Sequence, residues 1–327
     1  MVYLHGLGHF HPENIITNRF LDDLDIGSSE EWILERVGIR TRHTSLPLDY
    51  IKMTRNRDPH AAAEASIISN AKAGAFACRM ALERAGLKPD DVGLLISGSS
   101  APEHVSPAEA ATVAAELDID VPCFDLNSAC STFGMQITMI SKMNPTEMPP
   151  YMLVVTPESL THTVDYSDRT AAPLFGDGST AAVVSLSEPS NMTFHACHYE
   201  SKPTSWDKVR IPRFGYFTQD GNAVQGFAIR KTTDALRHLQ TAFPVNENKF
   251  KFVGHQANLG MLRTVCERCD ISEENHWHNV TDFGNTGCSS APAVLSQNWK
   301  RFNPGDHIAL VVVGSGLTWV HMILKIL

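Results

Sequence analysis

The 327-residue chain has few cysteines and few basic residues for its size. Its seven cysteines are odd in number and scattered, so they offer no disulfide framework. They read as free thiols of a reducing compartment, and the expected location is the cytoplasm. Lys and Arg number 27 against 36 Asp and Glu, a formal charge of −9. A nucleic-acid partner needs a concentrated basic face, which argues that class away. The longest basic cluster, Lys52, Arg55 and Arg57, is broken by Asp58 and reads as a solvated loop. The first residues show no basic stretch followed by an apolar one, so no secretory signal is expected. One apolar run, His307 to Leu327, is long enough to span a bilayer. Gly314-Ser315-Gly316 interrupts it, and His321 and Lys325 lie in its last third. Two buried strands around a glycine turn explain it better, and no membrane partner is expected.

Two further absences remove cofactor and metal chemistry from the expectation. Gly6-Leu7-Gly8 has His11 where a dinucleotide fingerprint needs its third glycine. Cys266 and Cys269 lack a second ligand pair and fall on a predicted helix, and the 15 histidines show no H-E-x-x-H spacing. No bound cofactor and no metal are therefore expected. There is no low-complexity segment and no tandem repeat.

What is present is an ordinary globular composition, 43% hydrophobic and 19% charged, in a chain long enough for one large core or two fused ones. Strands are predicted over 2–8, 91–98, 121–126, 151–156, 179–186, 192–200, 250–254 and 277–280, with two more closing the chain. Helices are predicted over 19–25, 30–37, 61–85, 107–117, 128–143, 224–242, 258–269 and 289–299. Ser28-Ser29-Glu30-Glu31 supplies a cap and an acidic first turn, and Gly86 a C-terminal stop. Strand and helix alternate with short connections, which predicts α/β layers around largely parallel strands. The same order occurs in both halves, with a seam near residue 175, so that 1–175 and 176–327 are the expected units.

Three strand-to-helix turns carry chemistry. In Asp125-Leu126-Asn127-Ser128-Ala129-Cys130-Ser131 the thiol stands near a helix start, where the partial positive charge favours thiolate. Alone, such a cysteine is more often structural. Val253-Gly254-His255-Gln256-Ala257-Asn258 and Asp282-Phe283-Gly284-Asn285-Thr286-Gly287 place a histidine and an asparagine in equivalent turns. A nucleophilic thiol needs a proton acceptor and donors for a developing oxyanion, and His255 with Asn285 can provide both.

These segments resemble the β-ketoacyl-(acyl carrier protein) synthase III family of the thiolase superfamily. Further likenesses run along the chain: Ser29-Glu30-Glu31-Trp32-Ile33 to Ile39, Ser167-Asp168-Arg169 with Phe175-Gly176-Asp177-Gly178, and Gly314-Ser315-Gly316-Leu317-Thr318-Trp319. The resemblance implies a duplicated thiolase fold, five-layered αβαβα, usually a homodimer. It implies that Cys130 takes an acyl group from a thioester, while His255 and Asn285 bind the carbonyl of a malonyl- or β-ketoacyl-type extender for a decarboxylative Claisen condensation. It places the oxyanion hole on the backbone N–H groups of Cys130 and Gly316. Trp32 and Arg169 match positions flanking the adenine of coenzyme A, Arg36 one near its phosphates, and Asn222 one in the pantetheine tunnel. Acyl-CoA and acyl carrier protein are the implied partners.

The departures bear on substrate. Gly260 stands where an arginine that docks the carrier protein is usual, although Arg263 and Arg268 remain on that helix. Gly254, Ser315 and Val320 replace a usual proline and two glycines. Ser106 takes the place of a bulky aromatic that limits acyl length, which implies room for a medium or long acyl group. These features resemble the secondary-metabolism branch, such as alkylquinolone or dialkylresorcinol synthases. Two other readings use the same residues: acyl transfer or thioester hydrolysis without a carbon–carbon bond, and a non-catalytic partner subunit. Asn285 favours condensation over the first, and the joint presence of Cys130, His255 and Asn285 weighs against the second.

Overall fold

The computed structural model describes residues 1–213 and 215–327. Nine strands form its main sheet. They are β1 (Val2–Phe10), β2 (Leu94–Ser97), β3 (Cys123–Asp125), β4 (Met152–Glu158), β5 (Gly178–Ser185), β6 (Met192–Ser201), β7 (Phe250–Gly254), β8 (His307–Gly314) and β9 (Thr318–Ile326). The helices that matter to the site are α1 (Glu30–Val37), α2 (Asn70–Ala85), α3 (Glu109–Leu117), α4 (Thr132–Ile140), α5 (Gly221–Ala242), α6 (Leu259–Arg268) and α7 (Ser290–Gln297).

The sheet order is β7-β8-β9-β6-β1-β5-β4-β2-β3, and it divides into two copies of one pattern. Counted within the first half, the order is third, second, fourth, fifth, first. The fifth strand, β5, is antiparallel to both neighbours. In the second half β7, β8, β9 and β6 take the second, fourth, fifth and first places, again with the fifth strand antiparallel. The third place is reduced to a single bridge from Phe252 to His276. The expected strand over 277–280 is therefore absent; Val280–Phe283 forms a helical turn instead. The two copies meet edge to edge where Val2 and Tyr3 of β1 face Phe194 and Thr193 of β6. Because β5 completes the first copy, the chain crosses from one copy to the other at 186–191, beyond the seam expected near 175.

Burial on both faces explains the continuous apolar strands. Along β8, Ile308, Leu310 and Val312 join a central core with Phe133, Ile137 and Ile140 of α4 and Val294 and Leu295 of α7. The intervening Ala309 and Val311 pack instead with Leu236 and Leu239 of α5 and Leu262 and Val265 of α6. Likewise β5 gives Ala182 and Val184 to the centre, and Ala181 and Val183 to α2 and α3. Period-two alternation thus feeds two different cores, and the result is the expected stack of helices, strands, central helices, strands and helices. The alanine-rich stretch 61–85 is two helices rather than one. Pro59–Ala65 ends at Ser66, and α2 starts afresh where Ser69 Oγ accepts the Lys72 N–H at 3.1 Å.

Candidate active site

Cys130, His255 and Asn285 line one cavity of about 290 Å³. Each comes from a turn that the backbone makes at the end of the strand layer. The Cys130 turn is the tightest. Asn127 Oδ1 accepts the Ala129 N–H at 2.8 Å and the Thr132 hydroxyl at 3.1 Å. Ala129 takes a left-handed φ of 48°, and Ser131 N–H bonds back to Ser128 O at 3.1 Å. Cys130 therefore stands on a sharp elbow, and α4 begins only at Thr132 rather than near Ser128. Gly314 of β8 is packed against this elbow: a Cβ there would lie 3.0 Å from Ser131 N and 3.2 Å from Cys130 N.

In the second turn, Gln256 is buried and its Oε1 accepts Asn279 N–H at 3.0 Å, while Asn258 caps α6 through Met261 N–H at 3.1 Å. His255 is held between them. Its Nδ1 is sealed without a partner, so Nε2 is the nitrogen left open toward the cavity. In the third turn, Asn285 Oδ1 accepts the Gly287 N–H at 3.0 Å. With the amide oxygen engaged, Nδ2 is turned outward as a donor. Gly287 has a φ of +58°, a conformation natural to glycine.

The electrostatics differ from the expectation of a helix-stabilised thiolate. Burial, and next the charge of Glu158, push the Cys130 thiol up to about 12; the backbone N–H groups of Cys130 and Ser315 oppose them. Burial alone pulls His255 down to about 4. Both shifts favour the neutral thiol and imidazole over an ion pair. The elbow places the sulfur just before the helix, where desolvation outweighs a dipole effect that amounts to only about 0.3–1 kcal/mol.

The second backbone donor facing the sulfur belongs to Ser315, not Gly316. Gly316 opens instead onto a separate groove behind the elbow, beside Asn127 and Ala129. Asn222, at the start of α5, lines the Cys130 cavity. Trp32 is half-buried on α1, with the Arg169 guanidinium 4.6 Å from its ring centre. It packs in the same apolar cluster as Phe175 and Phe217, which wall the cavity. Arg36 is exposed in the last turn of α1, and its carbonyl accepts Asn258 Nδ2 at 3.2 Å. Ser106 is exposed and does not line the cavity within one chain.

Two residues near the site escaped sequence reasoning. Glu158 ends β4 fully buried, and Cys288 Sγ donates to its Oε1 at 2.9 Å. The available signal was a carboxylate closing the apolar run Met152–Val155. Among the described residues no group of three or more His, Cys, Asp or Glu is placed to hold a metal ion. No helix described is long and apolar enough to cross a membrane.

Comparison with known proteins covers the whole molecule. Residues 124–203 match the family model of 3-oxoacyl-[acyl-carrier-protein] synthase III, and residues 247–326 that of its C-terminal part. A β-ketoacyl-[acyl-carrier-protein] synthase III of Gloeobacter violaceus is 30% identical over 97% of this chain and 96% of its own length. That of Chlamydia pneumoniae is 26% identical over 97% and 95%. The crystal structure of 3-oxoacyl-[acyl-carrier-protein] synthase III from Aquifex aeolicus superposes with a TM-score of 0.87 at 26% identity, covering 99% of this chain and 100% of that one. The duplicated strand order, the cysteine elbow and a likeness that runs end to end together mean that the chain belongs to the β-ketoacyl-[acyl-carrier-protein] synthase III family of condensing acyltransferases.

Proposed function

We propose that this enzyme acylates Cys130 from an acyl thioester and joins that acyl group to a malonyl- or β-ketoacyl-type thioester by Claisen condensation. The observation that carries the reading is the outward Nδ2 of Asn285, in the same cavity as Cys130 and the open Nε2 of His255. A neutral donor suits a carbonyl that becomes an enolate, whereas an acidic residue in place of Asn285 would favour deprotonating an incoming alcohol or water. In the first half-reaction His255 Nε2 takes the thiol proton as the sulfur attacks, since neither group is charged at rest. The N–H groups of Cys130 and Ser315 receive the oxyanion. In the second half-reaction Asn285 Nδ2 and His255, now as its Nε2–H tautomer, donate to the extender carbonyl, and the apolar walls of Phe175, Phe217 and Met261 exclude water from the carbanion.

No bound cofactor enters this scheme; coenzyme A or a carrier protein arrives as the thioester itself. Trp32, Arg169 and Arg36 are assigned to the nucleotide end of coenzyme A and Asn222 to its pantetheine arm. Arg263 and Arg268, exposed on α6, would meet a carrier protein in place of the arginine missing at Gly260. The working form is proposed to be a homodimer. Supporting it, β3 is an unpaired edge of the sheet with Phe124 partly exposed, and the Val105-Ser106 loop is exposed as well. Ser106 would then face the partner's acyl pocket, where a small side chain admits a medium or long acyl group, as suits secondary metabolism.

The test is carbon dioxide release from a malonyl thioester by enzyme preloaded with acyl-CoAs of increasing length, scored by mass spectrometry of Cys130. Release that needs the acyl adduct supports condensation. Adduct formation followed by free acid, with no carbon dioxide, would establish hydrolysis instead.

A further inference from the structure

The basic cluster Lys52, Arg55 and Arg57, which reads in the sequence as a solvated loop, is only partly solvated. Lys52 and Arg57 are exposed, but Arg55 is half-buried, and its Nη1 is sealed from water with no acceptor. No ion pair among the described residues includes either arginine. A partly desolvated guanidinium without a counter-ion is unfavourable, and it is suited to an anion that arrives from outside. Both arginines line a second cavity, of about 390 Å³, whose walls include Asp25, Gly27 and Ser167. Asp25 is exposed and is the one acid among the lining residues, so two positive charges face one negative.

The turn that presents these arginines is fixed. Arg55 and Asn56 have consecutive left-handed φ values of 58° and 54°, which residues with a side chain adopt reluctantly. Arg55 N–H closes the helix Leu48–Thr54 on Ile51 O at 2.9 Å, and its carbonyl accepts the Tyr166 N–H at 3.0 Å. Asn56 is fully buried, and its Nδ2 donates to His162 O and Val164 O, each at 2.9 Å. The Tyr216 hydroxyl donates to Asn56 O at 2.7 Å. The cavity also adjoins the Trp32–Arg169 pair along both of its chain segments. Gly27 lies two residues before Ser29, whose Oγ accepts the Trp32 N–H at 3.2 Å, and Ser167 lies two before Arg169. Two residues of chain span at most about 7 Å.

We propose that Arg55 and Arg57 bind the 3′-phosphate on the ribose of coenzyme A, beside an adenine held by Trp32 and Arg169. A terminal phosphate carries nearly two charges and three acceptor oxygens, which two guanidinium groups match by charge-assisted hydrogen bonds. The pocket therefore favours an acyl donor that brings its own nucleotide. The arm of a carrier protein has no such phosphate and gains nothing there. The inference rests on the assignment of Trp32 and Arg169 to the nucleotide end of coenzyme A under the proposed function.

The test is the rate of Cys130 acylation at subsaturating thioester, followed by mass spectrometry, with an acyl-CoA and its 3′-dephospho analogue. Wild type should favour the acyl-CoA about tenfold, the scale of one charge-assisted contact. Arg55→Gln should abolish that preference by slowing the acyl-CoA to the rate of the analogue. Arg57→Gln, a change at an exposed side chain, should reduce it. Adenosine 3′,5′-bisphosphate should compete with the acyl-CoA about tenfold better than adenosine 5′-monophosphate. Inorganic phosphate that competes as well as the bisphosphate would identify a free-anion site and overturn the proposal. It is also overturned if wild type uses both thioesters equally, or if the arginine variants slow both by one factor. Trp32→Ala tests the underlying assignment separately, because it should slow both thioesters alike. No effect on either would sink the adenine reading, while a preference lost only in the arginine variants would still place the phosphate at Arg55 and Arg57.

Discussion

The Arg169 guanidinium lies 4.6 Å from the centre of the Trp32 ring, a cation–π contact within the usual reach of about 6 Å. A flat heterocycle stacked between two such groups needs about 7 Å, twice the ordinary carbon contact distance of about 3.5 Å. If Trp32 and Arg169 clasp the adenine of coenzyme A, one of them must first move away from the other. Arg169, a long side chain on a turn, is the one free to swing; Trp32 is anchored in an apolar cluster. Trp32→Ala should then raise the KM for acyl-CoA about tenfold, with kcat for bound substrate little changed, as loss of uniform binding requires. An equal fall in kcat would show that Trp32 shapes the reacting centre instead.

Thiol reactivity tests the resting charge state. With Cys130 pushed up to about 12 and His255 pulled down to about 4, the thiolate fraction in free enzyme rises tenfold for each pH unit throughout the neutral range. The rate of Cys130 alkylation by iodoacetamide should climb with that slope from pH 6 to 9. A plateau beginning below pH 8 would show a thiolate–imidazolium pair and contradict the assignment. Cys130→Ala supplies the background, since six other cysteines are present.

How much of this was legible in the sequence depended on the range of the interaction. The three turns at Cys130, His255 and Asn285 could be read because each is local: a strand ends, small residues follow and a helix begins. The cap at Ser29 and the stop at Gly86 obey the same short-range rules. The break at Ser66–Ser69 was hidden because apolar spacing runs through it, although Ser69 is itself a good cap. The backbone donor that meets the Cys130 sulfur beside its own N–H is Ser315, one residue before the expected Gly316, because a backbone N–H carries no mark of residue type. Glu158 could not be assigned at all. Its partners are Ser100 and Cys288, far away in the chain, and only the duplicated strand order brings them together.

Asn285 allows a near-isosteric test of the donor. Its Oδ1 already accepts the Gly287 N–H, and Asn285→Asp would preserve that bond while replacing Nδ2 with a carboxylate oxygen. An acceptor facing the extender carbonyl opposes enolate formation. Carbon dioxide release should fall about 10²–10³-fold, the usual loss for one oxyanion donor, while Cys130 acylation should stay within a few-fold of wild type. If acylation falls equally, Asn285 serves the elbow and not the enolate.

Stability should peak near pH 6.5, and the sign follows from two opposed sets of buried groups. Desolvation holds His9, His255 and His321 down at about 4, and His11 and His276 at about 3. In the unfolded chain each returns to about 6.5, so below that pH the unfolded state binds more protons. Stability supplied by the neutral imidazoles is therefore complete above about 6.5 and is lost as pH falls toward about 4. Glu109 and Glu158 act in reverse: burial raises them to about 8 and about 7. Their folded forms keep protons that unfolded carboxyls near 4.3 have lost, and that advantage disappears as pH rises through 7 and 8. Between 4.3 and 6.5 the five histidines outnumber the two carboxyls and stability climbs with pH; above 6.5 only the carboxyl slope remains. Thermal unfolding at constant ionic strength should give a Tm maximum near pH 6.5, with the alkaline decline weaker in Glu158→Gln. A Tm that rises steadily to pH 9 would show that these carboxyls ionise without penalty in the folded protein.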